Sequence, residues 1–111
     1  MITNYEEIDV QRAREVMAQE SPIIVDIRDA TSFEEAHIPQ AIPVNDNNIE
    51  QFLTETDKTR TLLCYCYHGF SSQTAAEYFR QNGFARVFSI TGGFEQWRQT
   101  FPEDIVGQAG G

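Results

Sequence analysis

Three short apolar runs constrain this chain more than any other feature: Ile23–Val25 ("IIV"), Thr61–Cys66 ("TLLCYC") and Ala85–Ile90 ("ARVFSI"). None alternates apolar with polar residues, so none reads as a strand with one face in water. Continuous apolar stretches of this length fit strands buried on both faces, the habit of parallel sheets. Parallel neighbours need crossovers, and helices usually supply them. The intervening segments have that character.

A weak short strand, Ile8–Val10, precedes a helix reaching about Gln19 with Ala13, Val16 and Met17 on one face. Thr31, with Glu34 three residues on, reads as a capping-box start for a short helix. Ala41–Val44 is a second short strand-like run, and Asp46 is placed to cap a helix carrying Ile49, Phe52 and Leu53. Ser71 or Ser72 is placed to cap the next helix, whose Ala75, Ala76 and Phe79 face inward and which Asn82-Gly83 ends. Gly92-Gly93 form a tight turn before a last helix with Phe94, Trp97 and Phe101 at helical spacing. The expected fold is α/β: one domain with a central, mostly parallel sheet of about five strands and helices on both faces. The glycine-rich end is expected to fray over residues 105–111.

A net charge of −9 argues against nucleic acid as a partner, because there is no basic patch to neutralise phosphates. No segment approaches the roughly 20 apolar residues that span a bilayer, so no membrane association is expected. Met1–Glu20 is polar and acidic, unlike a secretory signal or transit peptide, and a cytoplasmic protein is expected. Two cysteines spaced C-x-C are too few for a disulfide framework or a four-ligand zinc site. His37 and His68 supply no second ligand pair nearby, so neither metal nor cofactor is expected.

Ligands of parallel sheets gather beyond the carboxyl ends of strands, and Cys66 lies at such an end. If the next helix starts near Ser71, the chain from Cys66 must curl through a tight loop, with Gly69 permitting a left-handed turn. Such a loop turns successive N–H groups inward at a helix N-terminus, an arrangement that favours a thiolate or a charged group attached to it. Cys66 is thereby placed as an activated nucleophile, with the Ser71 and Ser72 hydroxyls as further donors. Cys64, two residues back, shares its face of the strand but lies deeper. It reads as core, with a resolving thiol or a Cys64–Cys66 disulfide as the alternative.

The loop "CYHGFSS" resembles the active-site loop of single-domain rhodaneses, particularly small bacterial thiosulfate sulfurtransferases of that family. "IIVDIRDATSFEEAHIPQA" (Ile23–Ala41) resembles the family's amino-terminal signature, and "SITGGFEQW" (Ser89–Trp97) the carboxy-terminal one. The resemblance implies one rhodanese-like domain over residues 1–111, with a signature-bearing core of about 5–104. By the same resemblance, Cys66 matches the sulfur-carrying cysteine, and Tyr67, His68, Gly69, Phe70 and Ser71 the loop whose amides surround the sulfur. The implied reaction is double displacement. Thiosulfate gives its outer sulfur to Cys66 and releases sulfite. The persulfide then passes sulfur to cyanide, or to a thiol or dithiol protein such as a thioredoxin.

The departures from the family pattern also carry expectations. Many rhodaneses close this loop with Arg or Lys, where this chain has Ser71, and a lysine found soon after the loop in close relatives is Gln73. Phe70 replaces a polar residue and makes the mouth more apolar. Weak thiosulfate binding is therefore expected. His68 either acts on the anion or holds the loop. His37 is implied to be structural. Asp26, Arg28 and Asp29 read as a charged network pinning the "HIP" turn, with Arg28 a minor candidate for attracting anions. Two other functions stay open. One is a non-catalytic rhodanese-like binding or regulatory module. The other is a cysteine phosphatase or arsenate reductase, which would want Arg six residues after the cysteine, where Ser72 stands.

Overall fold

The computed structural model describes residues 5–107, and within them strands and helices alternate without a break. The strands are β1 (Glu6–Ile8), β2 (Ile23–Asp26), β3 (Ile42–Pro43), β4 (Leu62–Tyr65) and β5 (Val87–Ile90). The helices are α1 (Val10–Glu20), α2 (Ala30–Glu35), α3 (Ile49–Glu55), α4 (Ser71–Gln81) and α5 (Gly93–Thr100). All four strand pairings are parallel, in the order β1-β5-β4-β2-β3.

Every residue of β2, β4 and β5 is buried, as their unbroken apolar character requires. Alternate residues feed two cores. Ile24, Leu63, Tyr65, Phe88 and Ile90 point to α1 and α5, where Ala13, Val16, Phe94 and Trp97 meet them. Ile23, Val25, Leu62, Cys64 and Val87 point to α3 and α4, against Phe52, Ala76 and Phe79. Burying Leu62 and Leu63 contributes about 1.5–3 kcal/mol each. Because all strands run one way, the loops after β2, β4 and β5 open on one edge of the sheet.

Helix starts differ in detail from the expectations. Val10 belongs to α1 and not to the first strand, because Asp9 caps that helix by accepting the Arg12 N–H at 2.8 Å. The cap of α2 is Asp29, bonded to the Ser32 N–H, rather than Thr31. Asp46 caps nothing; Asn45 and Asn48 bond each other's backbone to shape the entry to α3. Neither Ser71 nor Ser72 caps α4, whose N-cap position is Phe70 with no side-chain bond.

Of the tail expected to fray over 105–111, Ile105 and Val106 are described and make contacts. Val106 and His37 exchange backbone hydrogen bonds of 2.8 and 2.9 Å, and Ile105 packs against the α1–α5 core. Residues 108–111 lie outside the described part. Among the described residues no helix is long and apolar enough to cross a membrane.

Candidate active site

Cys66 directly follows β4 and is nearly buried, at 7% exposure. Its sulfur accepts backbone N–H groups from Gly69 and Ser72, both at 3.2 Å. Ser72 is the second residue of α4, and its N–H is one that an N-cap side chain ordinarily satisfies. The sulfur therefore occupies the capping place, which explains why neither serine caps the helix. The Ser72 hydroxyl lies 3.5 Å from the same sulfur and 2.7 Å from the Ser89 hydroxyl on β5. Two backbone N–H donors thus converge on one sulfur at the positive end of an eleven-residue helix, and the thiol in turn donates to the Ser72 hydroxyl oxygen.

The loop is held from behind by the turn after β5. Phe94 and Glu95, in the first turn of α5, donate their N–H groups to the carbonyls of Cys66 and Tyr67 at 2.8 and 3.0 Å. The approach is so close that a Cβ on Gly93 would stand 2.4 Å from the Cys66 carbonyl oxygen. Gly69 has φ +91°, and a Cβ there would meet the Gly92 nitrogen at 2.8 Å. A side chain at either glycine would push the two loops apart.

The remaining loop residues divide by position. Tyr67 is half exposed and lies over the Arg28 guanidinium, 5.0 Å from its ring centre. His68 is exposed at the rim, its ring 5.9 Å from that of Tyr67. Phe70 is 77% exposed and gives the mouth an apolar lip. Ser71 is exposed and edges a cavity of about 660 Å³ lined also by Ile27, Val44, Asp46 and Tyr78. Cys66 does not line that cavity, so the sulfur sits in the cup of its own loop.

Cys64 has a different environment. It is fully buried, its thiol donating to the carbonyls of Ser72 and Phe88 at 3.5 Å. Burial first, and then the neighbouring Cys66, push its thiol well above the ordinary range. It packs as core.

Asp26 and Arg28 form the buried network expected at the "HIP" turn. Arg28 bonds both Asp26 oxygens and the Ala36 carbonyl, and Tyr65 donates its hydroxyl to Asp26 while accepting the Ile38 N–H. Burial, followed by Asp26, pushes the Tyr65 phenol up, so it serves as a neutral donor. Asp29 stands apart from this network as the α2 cap. The Arg28 guanidinium also lies 4.2 Å from the centre of the Phe94 ring, joining the Tyr67 loop to α5. Its side chain is 2% exposed, and its Nε and Nη2 are engaged by Asp26 and the Ala36 carbonyl, so Asp26 neutralises most of the pull it could exert on an anion. His37 stacks on Phe33, and its Nδ1 lies 2.7 Å from the Phe33 carbonyl, a structural placement. Gln73 is engaged too, donating to Glu7 of β1 at 3.0 Å. Ser89 escaped the sequence reading, although a lone hydroxyl in an apolar strand was a legible signal.

The rhodanese-like domain family model matches residues 9–100. The chain belongs to the rhodanese-like family. This rhodanese-like domain is 38% identical over 105 residues to thiosulfate sulfurtransferase GlpE of Pseudomonas syringae pv. syringae, covering 95% of this chain and 98% of that protein. Among solved structures it is similar to BH2092 from Bacillus halodurans, at 32% identity and a TM-score of 0.76, over 96% of this chain and 79% of that one. A rhodanese-like domain protein from Staphylococcus aureus shares the fold at 24% identity and a TM-score of 0.72, over 83% and 90% of the two chains.

Proposed function

We propose that this rhodanese-like domain is a thiosulfate sulfurtransferase in which Cys66 carries the sulfur. The observation that carries this reading is the Cys66 sulfur itself, held by the Gly69 and Ser72 amides at a helix N-terminus. The full-length similarity to a protein named thiosulfate sulfurtransferase supports the same activity.

In the first half-reaction the Cys66 thiolate attacks the outer sulfur of thiosulfate. A new S–S bond forms, the bond to the sulfonate sulfur breaks, and sulfite leaves with the electron pair. Cys66 becomes a persulfide anion and no proton moves. In the second half-reaction an acceptor nucleophile attacks the outer sulfur, and the Cys66 thiolate is restored. Cyanide serves as acceptor in an assay, and a thiol or dithiol protein such as a thioredoxin in cells. The loop from Tyr67 to Ser72 binds the anionic sulfur through amides and hydroxyls, since donors aimed at developing charge stabilise it without reorganisation. His68 stands at the rim, where a cation would meet the arriving sulfonate.

The phosphatase or arsenate reductase reading lacks its arginine, because the position six after Cys66 is the buried Ser72. A non-catalytic module would have no use for a sulfur bonded by two amides. The test is intact mass after addition of thiosulfate: gain of one sulfur atom, absent in Cys66→Ser, is expected. An unchanged mass of the native protein would leave the module reading.

A further inference from the structure

We infer that Ser89 is a positioning residue that acts through Ser72 to favour delivery of sulfur from Cys66 over its uptake. The inference rests on the sulfurtransferase reading above, and concerns which half-reaction a buried pair of hydroxyls serves.

Ser89 is fully buried in β5, between Phe88 and Ile90 and opposite Cys64 in the sheet register. A hydroxyl in such a place needs a partner, and its partner is the Ser72 oxygen at 2.7 Å. Ser72 is equally buried and reaches the Cys66 sulfur at 3.5 Å. Ser89, Ser72 and Cys66 thus form a line that ends on the sulfur bonded to the protein, not on the position of the transferred atom.

Each hydroxyl has one proton and two lone pairs. One proton lies between the two oxygens, and either serine can supply it. When the Cys66 sulfur is anionic, Ser72 turns its O–H to the sulfur and Ser89 donates to Ser72. When that sulfur bridges in the persulfide, it is neutral and a poor acceptor, so the Ser72 proton gains less from it than from the thiolate.

The two half-reactions use this line in opposite senses. During uptake, negative charge leaves the Cys66 sulfur for the outer atom. During delivery to cyanide, carbon bonds to the outer sulfur, the S–S bond breaks, and the electron pair returns to Cys66; thiocyanate and thiolate are the products. A donor aimed at the Cys66 sulfur lowers the barrier only where charge is arriving. Ser89 strengthens that donor by bonding to its oxygen.

The test separates the half-reactions in rapid mixing. Uptake is followed by sulfite release from thiosulfate, and delivery by thiocyanate formation from preloaded protein. Ser89→Ala is expected to slow delivery about three- to tenfold, the size of one neutral hydrogen bond such as that between the two hydroxyls, with uptake unchanged or faster. Ser72→Ala should slow delivery at least as much. The double variant should match Ser72→Ala alone, because Ser89 has no route to the sulfur except through Ser72. Equal slowing of both half-reactions, no slowing of either, or a full additional factor from Ser89→Ala on the Ser72→Ala background would overturn the inference. Failure of the underlying reading is distinguishable: the native protein would take up no sulfur on Cys66 before any variant is made.

Discussion

Ser72 donates its backbone N–H to the sulfur of Cys66 at 3.2 Å, so the candidate nucleophile is also the cap of α4. Chemistry and local stability therefore meet in one atom. A serine oxygen at position 66 could accept the same N–H, whereas a methyl could not.

The first prediction uses that difference. Cys66→Ser should abolish sulfur transfer with little loss of stability, while Cys66→Ala should also abolish it and cost about 1 kcal/mol through the lost cap. Cys64→Ser should keep much of the activity. Turnover with thiosulfate and cyanide, beside thermal melts of each variant, checks all three. Transfer by Cys66→Ser would refute the assignment.

Thiol reactivity should be equally one-sided. Cys64 is sealed in the core and its thiolate is disfavoured by burial, so a small alkylating reagent should mark Cys66 and leave Cys64 untouched until the protein unfolds. Peptide mass mapping after brief labelling reads this directly. Equal labelling of both cysteines in the native state would contradict the geometry.

Gly93→Ala should damage the site from behind. Gly93 has φ +60°, and the new methyl would overlap the carbonyl oxygens of Cys66 and Tyr67. Strain of this kind costs about 1–3 kcal/mol, and the displaced loop should lower turnover at least about tenfold. Denaturant unfolding and steady-state kinetics measure the two effects separately.

Removing Asp26 should cost far more than removing a surface charge. Its oxygens hold the buried Arg28 and accept the Tyr65 hydroxyl. Asp26→Ala leaves an unpaired buried guanidinium, a loss of about 3–5 kcal/mol. Tyr65→Phe leaves the Ile38 N–H without its partner, at about 1–3 kcal/mol. Equilibrium unfolding should rank the two in that order.

Thiosulfate should bind weakly. Ser71 stands where many relatives of this fold hold a cation, Arg28 is committed to Asp26, and the net charge is −9. A charge-assisted bond exceeds a neutral one by about 1 kcal/mol, so Ser71→Arg should lower the thiosulfate KM about fivefold. Gln73→Lys should do less, because Glu7 waits 3.0 Å from that side chain to pair with the new cation. Added salt should help the native protein by screening the repulsion. A native KM already in the micromolar range would refute this.

The sequence by itself determined the alternation of strands and helices, the burial of β2, β4 and β5 on both faces, and the place of Cys66 at a strand end before a glycine-bearing loop. These features are local: periodicity and turn residues act within a few positions, so they are legible before any fold is known. Caps were less legible. Asp29 and Thr31 compete within one turn, and Asn45 and Asn48 satisfy an entry that Asp46 was placed to cap. The cap of α4 could not be read as a serine because its acceptor, the Cys66 sulfur, is delivered by the end of β4. Only the tertiary structure set Gly93 against Cys66, Tyr67 over Arg28, Ser89 beside Ser72 and Val106 beside His37. Each of these pairs joins segments 17 or more residues apart, brought together by strand order and by the need of buried polar groups for partners. No local pattern encodes which distant partner a buried hydroxyl or carbonyl will find; the packing of β4 between β5 and β2 decides it.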